Sequence, residues 1–162
     1  MFQAAVRLSE LSLLTMAMTT FPFPFPQPGD KNNKCDYNGW LYFYGEYPVS
    51  ISKCRDLNAN LLVFDSNVER VVATKYLQDL GVPFVNSWFD SIWIGASAQG
   101  TNRRFVLSKN GAPLSYARWC FNQPDFNHRE CVAYADFLGY NFGYHDFECL
   151  GLFPFVCENS AI

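Results

Sequence analysis

Two ends of one stretch decide how this sequence is read: Trp119-Cys120-Phe121-Asn122-Gln123-Pro124-Asp125 and Tyr144-His145-Asp146-Phe147-Glu148-Cys149. Between and beside Cys131 and Cys149 they gather the side-chain oxygens of Gln123, Asp125, Glu130 and Asp146. Oxygen donors on a loop that a disulfide can clip are how a small protein builds a site for a hard cation such as Ca²⁺, which accepts about 6–8 oxygens in loose geometry. Everything before the stretch reads as scaffold for it.

Working outward, 162 residues suit one domain with a tail, since domains hold roughly 100–150 residues. A composition of 49% hydrophobic and 17% charged residues is globular, and 18% aromatic demands a dense core or exposed contact surfaces. A net charge of -3 supplies no field for phosphate backbones or anionic lipid, so no nucleic-acid partner is expected; Arg103 and Arg104 read as a solvated turn. The six cysteines, Cys35, Cys54, Cys120, Cys131, Cys149 and Cys157, contain no pair at zinc-knuckle or redox spacing. An even count spread along the chain points to disulfides and an oxidising compartment. Residues 1–20 are a candidate signal peptide, with Arg7 as its charged region and 11–18 as its apolar region, although Glu10 and the threonines interrupt the pattern. Secretion is therefore expected on a weak signal. No membrane span is expected, because no stretch reaches about 18 uninterrupted apolar residues.

Residues 21–34 begin Phe-Pro-Phe-Pro-Phe-Pro-Gln-Pro, which belongs to neither helix nor central strand and predicts an extended linker. The domain is placed at 35–159. Aromatic 38–47 predicts a first hairpin strand, and Pro48 opens a helix over 50–57 with Ile51, Cys54 and Leu57 on one face. Asn58-Ala59-Asn60 ends it, and 61–64 is a short buried strand. Ser66 and Glu69 form a capping box for a second helix ending at Gly81, with Val68, Val71, Val72 and Leu80 on one side. Short strands follow at 91–96, 105–107, 114–116, 132–134 and 153–156. Two early helices and several short strands make the fold class α+β.

In this order the residues resemble the C-type lectin-like domain over 35–158. The resemblance rests on Asn58-Ala59-Asn60-Leu61 after the helix cysteine, Ser66 with Glu69, Trp93-Ile94-Gly95, Tyr116 with Trp119, Gln123-Pro124-Asp125 and Phe155-Val156-Cys157-Glu158. It implies two helices flanking short antiparallel sheets, a long disulfide-clipped loop region, and the pairs Cys54 with Cys157 and Cys131 with Cys149. Cys35 and Cys120 are then left over; no bond between them is expected. Either of them offers a disulfide-linked dimer, and burial of Cys120 beside Trp119 is the alternative.

The resemblance also implies a function: a non-enzymatic carbohydrate-binding lectin module in which one Ca²⁺ bridges protein and sugar hydroxyls. Gln123, Asp125, Glu130 and Asp146 form the implied metal set, and these residues with His145 the implied carbohydrate set. Gln-Pro-Asp is the version that resembles galactose-type recognition. Two positions depart from the family pattern. His145 replaces an oxygen donor in Tyr144-His145-Asp146, and Arg129 stands where an acidic ligand is expected. A guanidinium about 5 Å from Ca²⁺ costs roughly 6 kcal/mol at an effective dielectric of 20, so Arg129 must point away if calcium binds. The second calcium site of some members has no carboxylates here, where Ala96-Ser97-Ala98-Gln99 stand. The competing reading is a calcium-independent domain of the same fold that mediates protein–protein contacts. Weaker alternatives are a transition-metal site at His128, His145 and Asp146 and a Cys120–His145 nucleophilic pair.

Overall fold

The computed structural model describes residues 42–159 apart from 80, 83, 86, 127 and 138–140. The expected signal peptide, the Phe-Pro linker, Cys35 and Leu80 therefore lie outside the described residues. Along the chain run β1 (Tyr42–Gly45), α1 (Tyr47–Asp56), β2 (Ala59–Leu61), α2 (Asn67–Asp79), a 3₁₀ turn (Trp88–Asp90), β3 (Ile92–Ser97), β4 (Val106–Leu107), β5 (Cys131–Phe137), β6 (Asn141–Phe147) and β7 (Phe153–Asn159). They form two antiparallel sheets, one ordered β1-β7-β2 and the other β4-β3-β5-β6. The α+β class and the two helices are as expected.

Pro48 lies in the first turn of α1, where its missing N–H costs no hydrogen bond. The helix stops at Asn58, whose φ of 55° is a left-handed conformation that Asn tolerates. Inside, Cys54 is bonded to Cys157, with Cα atoms 5.3 Å apart, and Cys131 is bonded to Cys149 at 5.2 Å. The first bridge spans 103 residues of sequence and the second 18, so the first removes more entropy from the unfolded chain.

The surroundings of β3 explain why it is apolar from Ile92 to Ala96. Ile92, Ile94 and Ala96 join a cluster with Phe64, Leu77 and Tyr134, while Trp93 joins Tyr47, Phe153 and Phe155 on the other face. A strand covered on both faces has no polar side. Gly95 is required here: a Cβ would lie 2.5 Å from the Leu61 carbonyl oxygen, and the Gly95 N–H donates to the Leu62 carbonyl at 2.8 Å. That close approach also shortens the strand expected at 61–64. β2 ends at Leu61, and Val63 and Phe64 are buried without a ladder.

α2 begins as read, with Ser66 Oγ accepting from the Glu69 N–H and the Glu69 carboxylate accepting from the Asp65 N–H. Its valine side, however, faces out: Val68 is 73% exposed, and Val71 and Val72 are also exposed. The buried side is Arg70, Ala73, Thr74 and Leu77. Arg70 donates to the Tyr134 hydroxyl at 3.1 Å and Thr74 shares a hydrogen bond with it, so a polar pair docks the helix on a buried phenol.

The strand expected at 114–116 is absent; 113 makes only an isolated bridge to Val106. The stretch 141–147, expected as loop, is instead strand β6, paired with β5 from Cys131↔Phe147 to Phe137↔Asn141. Its far edge takes residues 118–120, the Tyr144 N–H donating to the Arg118 carbonyl at 2.7 Å and the Cys120 N–H to the Tyr144 carbonyl at 2.8 Å. Gly143 permits this, since a Cβ there would meet Arg118 O and Cys120 Sγ at 2.9 Å.

Candidate ligand-binding site

Successive side chains of a strand point to opposite faces, and β6 uses this to separate two ionisable neighbours. Asp146 points to the long loop, with a side chain 0% exposed. His145 points inward and is buried.

On the loop side the Asp146 backbone and carboxylate organise the Gln-Pro-Asp turn. The Gln123 side-chain oxygen accepts from the Asp146 N–H at 3.1 Å, and Asp146 Oδ1 accepts from the Asp125 N–H at 3.1 Å. The Gln123–Pro124 peptide is cis. Thus Gln123, Asp125 and Asp146 come together as the resemblance implied. The other oxygen, Oδ2, accepts from Arg103 at 2.9 Å. The same Arg103 nitrogen donates to the Phe126 carbonyl at 2.8 Å and to the Arg129 carbonyl. Burial raises the Asp146 carboxyl above the ordinary aspartate range, against the opposing pull of the Asp125 N–H and of Arg103.

Arg129 does not point away. Its guanidinium lies over the Phe126 ring at 4.3 Å, and one nitrogen is 3.5 Å from Asp125 Oδ1. Its Nε is buried and has no hydrogen-bond partner among the described residues. Glu130 is tied through its carbonyl, which accepts from the Ala98 N–H at 2.7 Å; among the described residues no hydrogen bond joins its carboxylate to Gln123, Asp125 or Asp146.

His145 lies apart from this group. Ser91 Oγ donates to the Trp88 carbonyl at 2.7 Å and lies 2.7 Å from His145 Nε2, so this hydroxyl ties the ring to the 3₁₀ turn. The ring packs on Trp88 with centroids 4.5 Å apart. Burial lowers its pKa to about 4, so the ring is neutral near pH 7. The alternative metal set does not assemble, because His145 is buried on the inner face while His128 is exposed, 3.9 Å from Glu148. Nor does the nucleophile pair: Cys120 is 2% exposed and burial pushes its thiol up to about 11, far from a reactive thiolate. Burial also removes Cys120 as the expected route to a covalent dimer and leaves it in the alternative place, beside Trp119.

Whether the loop fits calcium can be tested on its donors. Gln123 Oε1 and both Asp146 oxygens are engaged by protein N–H groups, and Asp125 Oδ1 faces a guanidinium. Among the described residues no three His, Cys, Asp or Glu side chains are grouped to hold a metal. Two arginines now adjoin the place, each disfavouring a dication as reckoned above. The arrangement does not fit calcium. The sequence placed Arg103 in a solvated turn, whereas it pairs with the buried Asp146 carboxylate, and nothing in the sequence marked Ser91 and Trp88, the partners that turn His145 into an interior residue.

Comparison with known proteins agrees with the fold. The Lectin C-type domain model matches residues 47–159. Salivary C-type lectin 2 of Aedes albopictus is 29% identical over 134 residues, covering 78% of this chain and 87% of that protein. The mouse scavenger receptor C-type lectin carbohydrate-recognition domain superposes with a TM-score of 0.58 at 19% identity, over 82% of this chain and 98% of that one. Human lithostathine gives 0.59 at 23% identity, over 77% and 95%. The matched span takes in both staples, the Gln-Pro-Asp turn and β6, and by that match this chain belongs to the C-type lectin domain family.

Proposed function

We propose that the chain is a secreted, non-enzymatic lectin module that binds glycan at the loop face, through direct hydrogen bonds. The observation that carries this reading is the convergence of Gln123, Asp125 and Asp146, with Arg129 beside Asp125. A sugar hydroxyl both donates and accepts, so an aspartate oxygen and a guanidinium 3.5 Å apart offer it one partner of each kind. Phe126, 45% exposed, supplies an apolar surface beside them for the face of a pyranose ring. Terminal galactose is the class to test first, since Gln-Pro-Asp resembles the galactose-type motif. In this reading Glu130 and His145 support the loop and the strand beneath it. Secretion is supported by the two disulfides and by the salivary lectin of Aedes albopictus to which the chain is similar.

A glycan array with and without chelator tests the proposal. Binding to galactose-terminated glycans that survives chelator and is lost in Asp125→Ala is expected; no glycan bound in either condition removes the lectin reading. A second reading, protein recognition, is favoured by the rings and side chains left in solvent: Phe89 at 75%, Phe121 at 72% and Leu150 at 70% exposed.

A further inference from the structure

We propose that Arg103 is the resident cation of the long loop: its guanidinium holds together the oxygens that a metal ion would otherwise have to gather, so the loop is ordered without calcium. The inference concerns the order of the loop and does not rest on what its outer face binds.

The geometry at one nitrogen carries it. Three oxygens from three separate residues, Asp146 Oδ2 and the carbonyls of Phe126 and Arg129, meet at Arg103 Nη1, the first two at 2.9 and 2.8 Å. That nitrogen has only two hydrogens, so the three oxygens surround it as they would surround a cation and are not matched one hydrogen to one acceptor. The 2.8 and 2.9 Å contacts are hydrogen-bond lengths, longer than the roughly 2.3–2.6 Å of calcium–oxygen bonds, so the guanidinium takes the place of an ion by its charge and position. The oxygens come from both ends of the loop, 126 and 129 on one side and 146 on the other, so the contact closes it as a bridging ion does.

The turn that delivers the side chain is itself unusual. Asn102 and Arg103 have φ of 51° and 66°, left-handed values that cost most residues energy. A free surface arginine gives no reason to hold such a conformation; one that must reach a buried carboxylate does. Phe105 lies beneath the guanidinium at 5.2 Å and packs on Trp119 at 4.9 Å, fixing the approach. Among the described residues Arg103 is the cation that pairs with the buried Asp146 carboxylate, and a carboxylate buried without a counter-charge is costly.

The test uses thermal unfolding of the full chain. For the wild type, 10 mM calcium and excess chelator should give the same Tm, and terbium luminescence should show no saturable site. A calcium site of sub-millimolar Kd would instead raise Tm by several degrees. Arg103→Ala should lower Tm by on the order of 10 °C. In the double variant Arg103→Ala/Asp146→Asn most of that loss should be recovered, because a neutral amide needs no cation. If Arg103 only packs on Phe105, the two substitutions add. Methylguanidinium at tens of millimolar should raise Tm for Arg103→Ala and not for the wild type. A calcium-dependent rise in wild-type Tm, or additive losses in the double variant, overturns the proposal. If Arg103→Ala does not accumulate as folded protein, the wild-type calcium and terbium measurements decide it alone. Glycan binding that fails while these outcomes hold removes the lectin reading and leaves this one standing.

Discussion

His145 and Asp146 are neighbours on β6, both buried, and the fold deals with them in opposite ways. On the inner face His145 is surrounded by Ser91, Trp88 and Phe147 and gives up its charge, its pKa lowered to about 4. On the loop face Asp146 has Arg103 and the Asp125 N–H, and its carboxylate is matched by a guanidinium. The difference teaches that a buried ionisable group is tolerated by neutralisation where the surroundings are apolar and by a counter-charge where the chain can bring one. The two faces of one strand thereby become interior and site.

The largest way to break the comparison is to remove the counter-charge. Arg103→Ala should cost about 3–5 kcal/mol in urea unfolding, because it leaves a carboxylate buried alone. Next comes acid. Since the folded His145 pKa lies below its unfolded value, the unfolded chain takes up the proton first as pH falls from about 6.5 towards 4. Stability present above pH 6.5 is lost across that window, by about 3 kcal/mol at 1.36 kcal/mol per unit. Desolvation is the main cause, opposed by a hydrogen bond with the Asp146 backbone, while Arg129 lowers and Asp125 raises the value less. Asp146, raised by burial, acts in the opposite sense at the acid end, so comparison with His145→Gln isolates the imidazole: the variant should lose that part of the slope.

Smaller effects sharpen the inner face and the outer rim. Ser91→Ala strips the partner from both His145 Nε2 and the Trp88 carbonyl, and calorimetry should register a loss of about 1–2 kcal/mol. Arg129→Ala, whose contact with Asp125 is long and partly exposed, should change stability by no more than about 1 kcal/mol while weakening glycan binding on the array. An equal fall in stability from Arg129→Ala and Arg103→Ala would mean that the two arginines do the same job and that the division drawn here is mistaken. Last, Cys120 in the folded chain should resist alkylation at pH 8, with its thiol at about 11 and 2% exposed; mass spectrometry after brief iodoacetamide treatment reads this directly.

Local residues carried a large part of the fold. Pro48 and Asn58 bound the first helix because each constrains its own backbone, and the Ser66–Glu69 cap starts the second for the same reason. The run Ile92-Trp93-Ile94-Gly95-Ala96 announced a strand, and the fold showed that both of its faces are covered. The inner side of α2 was not legible, because the valine repeat has helical spacing but Arg70 and Thr74 have a phenol to reach and the valines do not. β6 was hidden because its sequence, with two glycine-adjacent aromatics, His and Asp, looks like loop until β5 and residues 118–120 pair with its two edges.

For the site, the amino-acid sequence by itself determined the family, both disulfide pairs and the gathering of Gln123, Asp125 and Asp146, since these depend on residue types at spacings that the resemblance makes specific. Only the tertiary structure decided what neutralises Asp146. Arg103 lies 43 positions away on a turn with nothing local to mark it, and it meets the carboxylate because β3, β5 and β6 bring the two segments together. Electrostatic partnership is a property of distance in space and of burial, and neither is written in the spacing of residues along the chain.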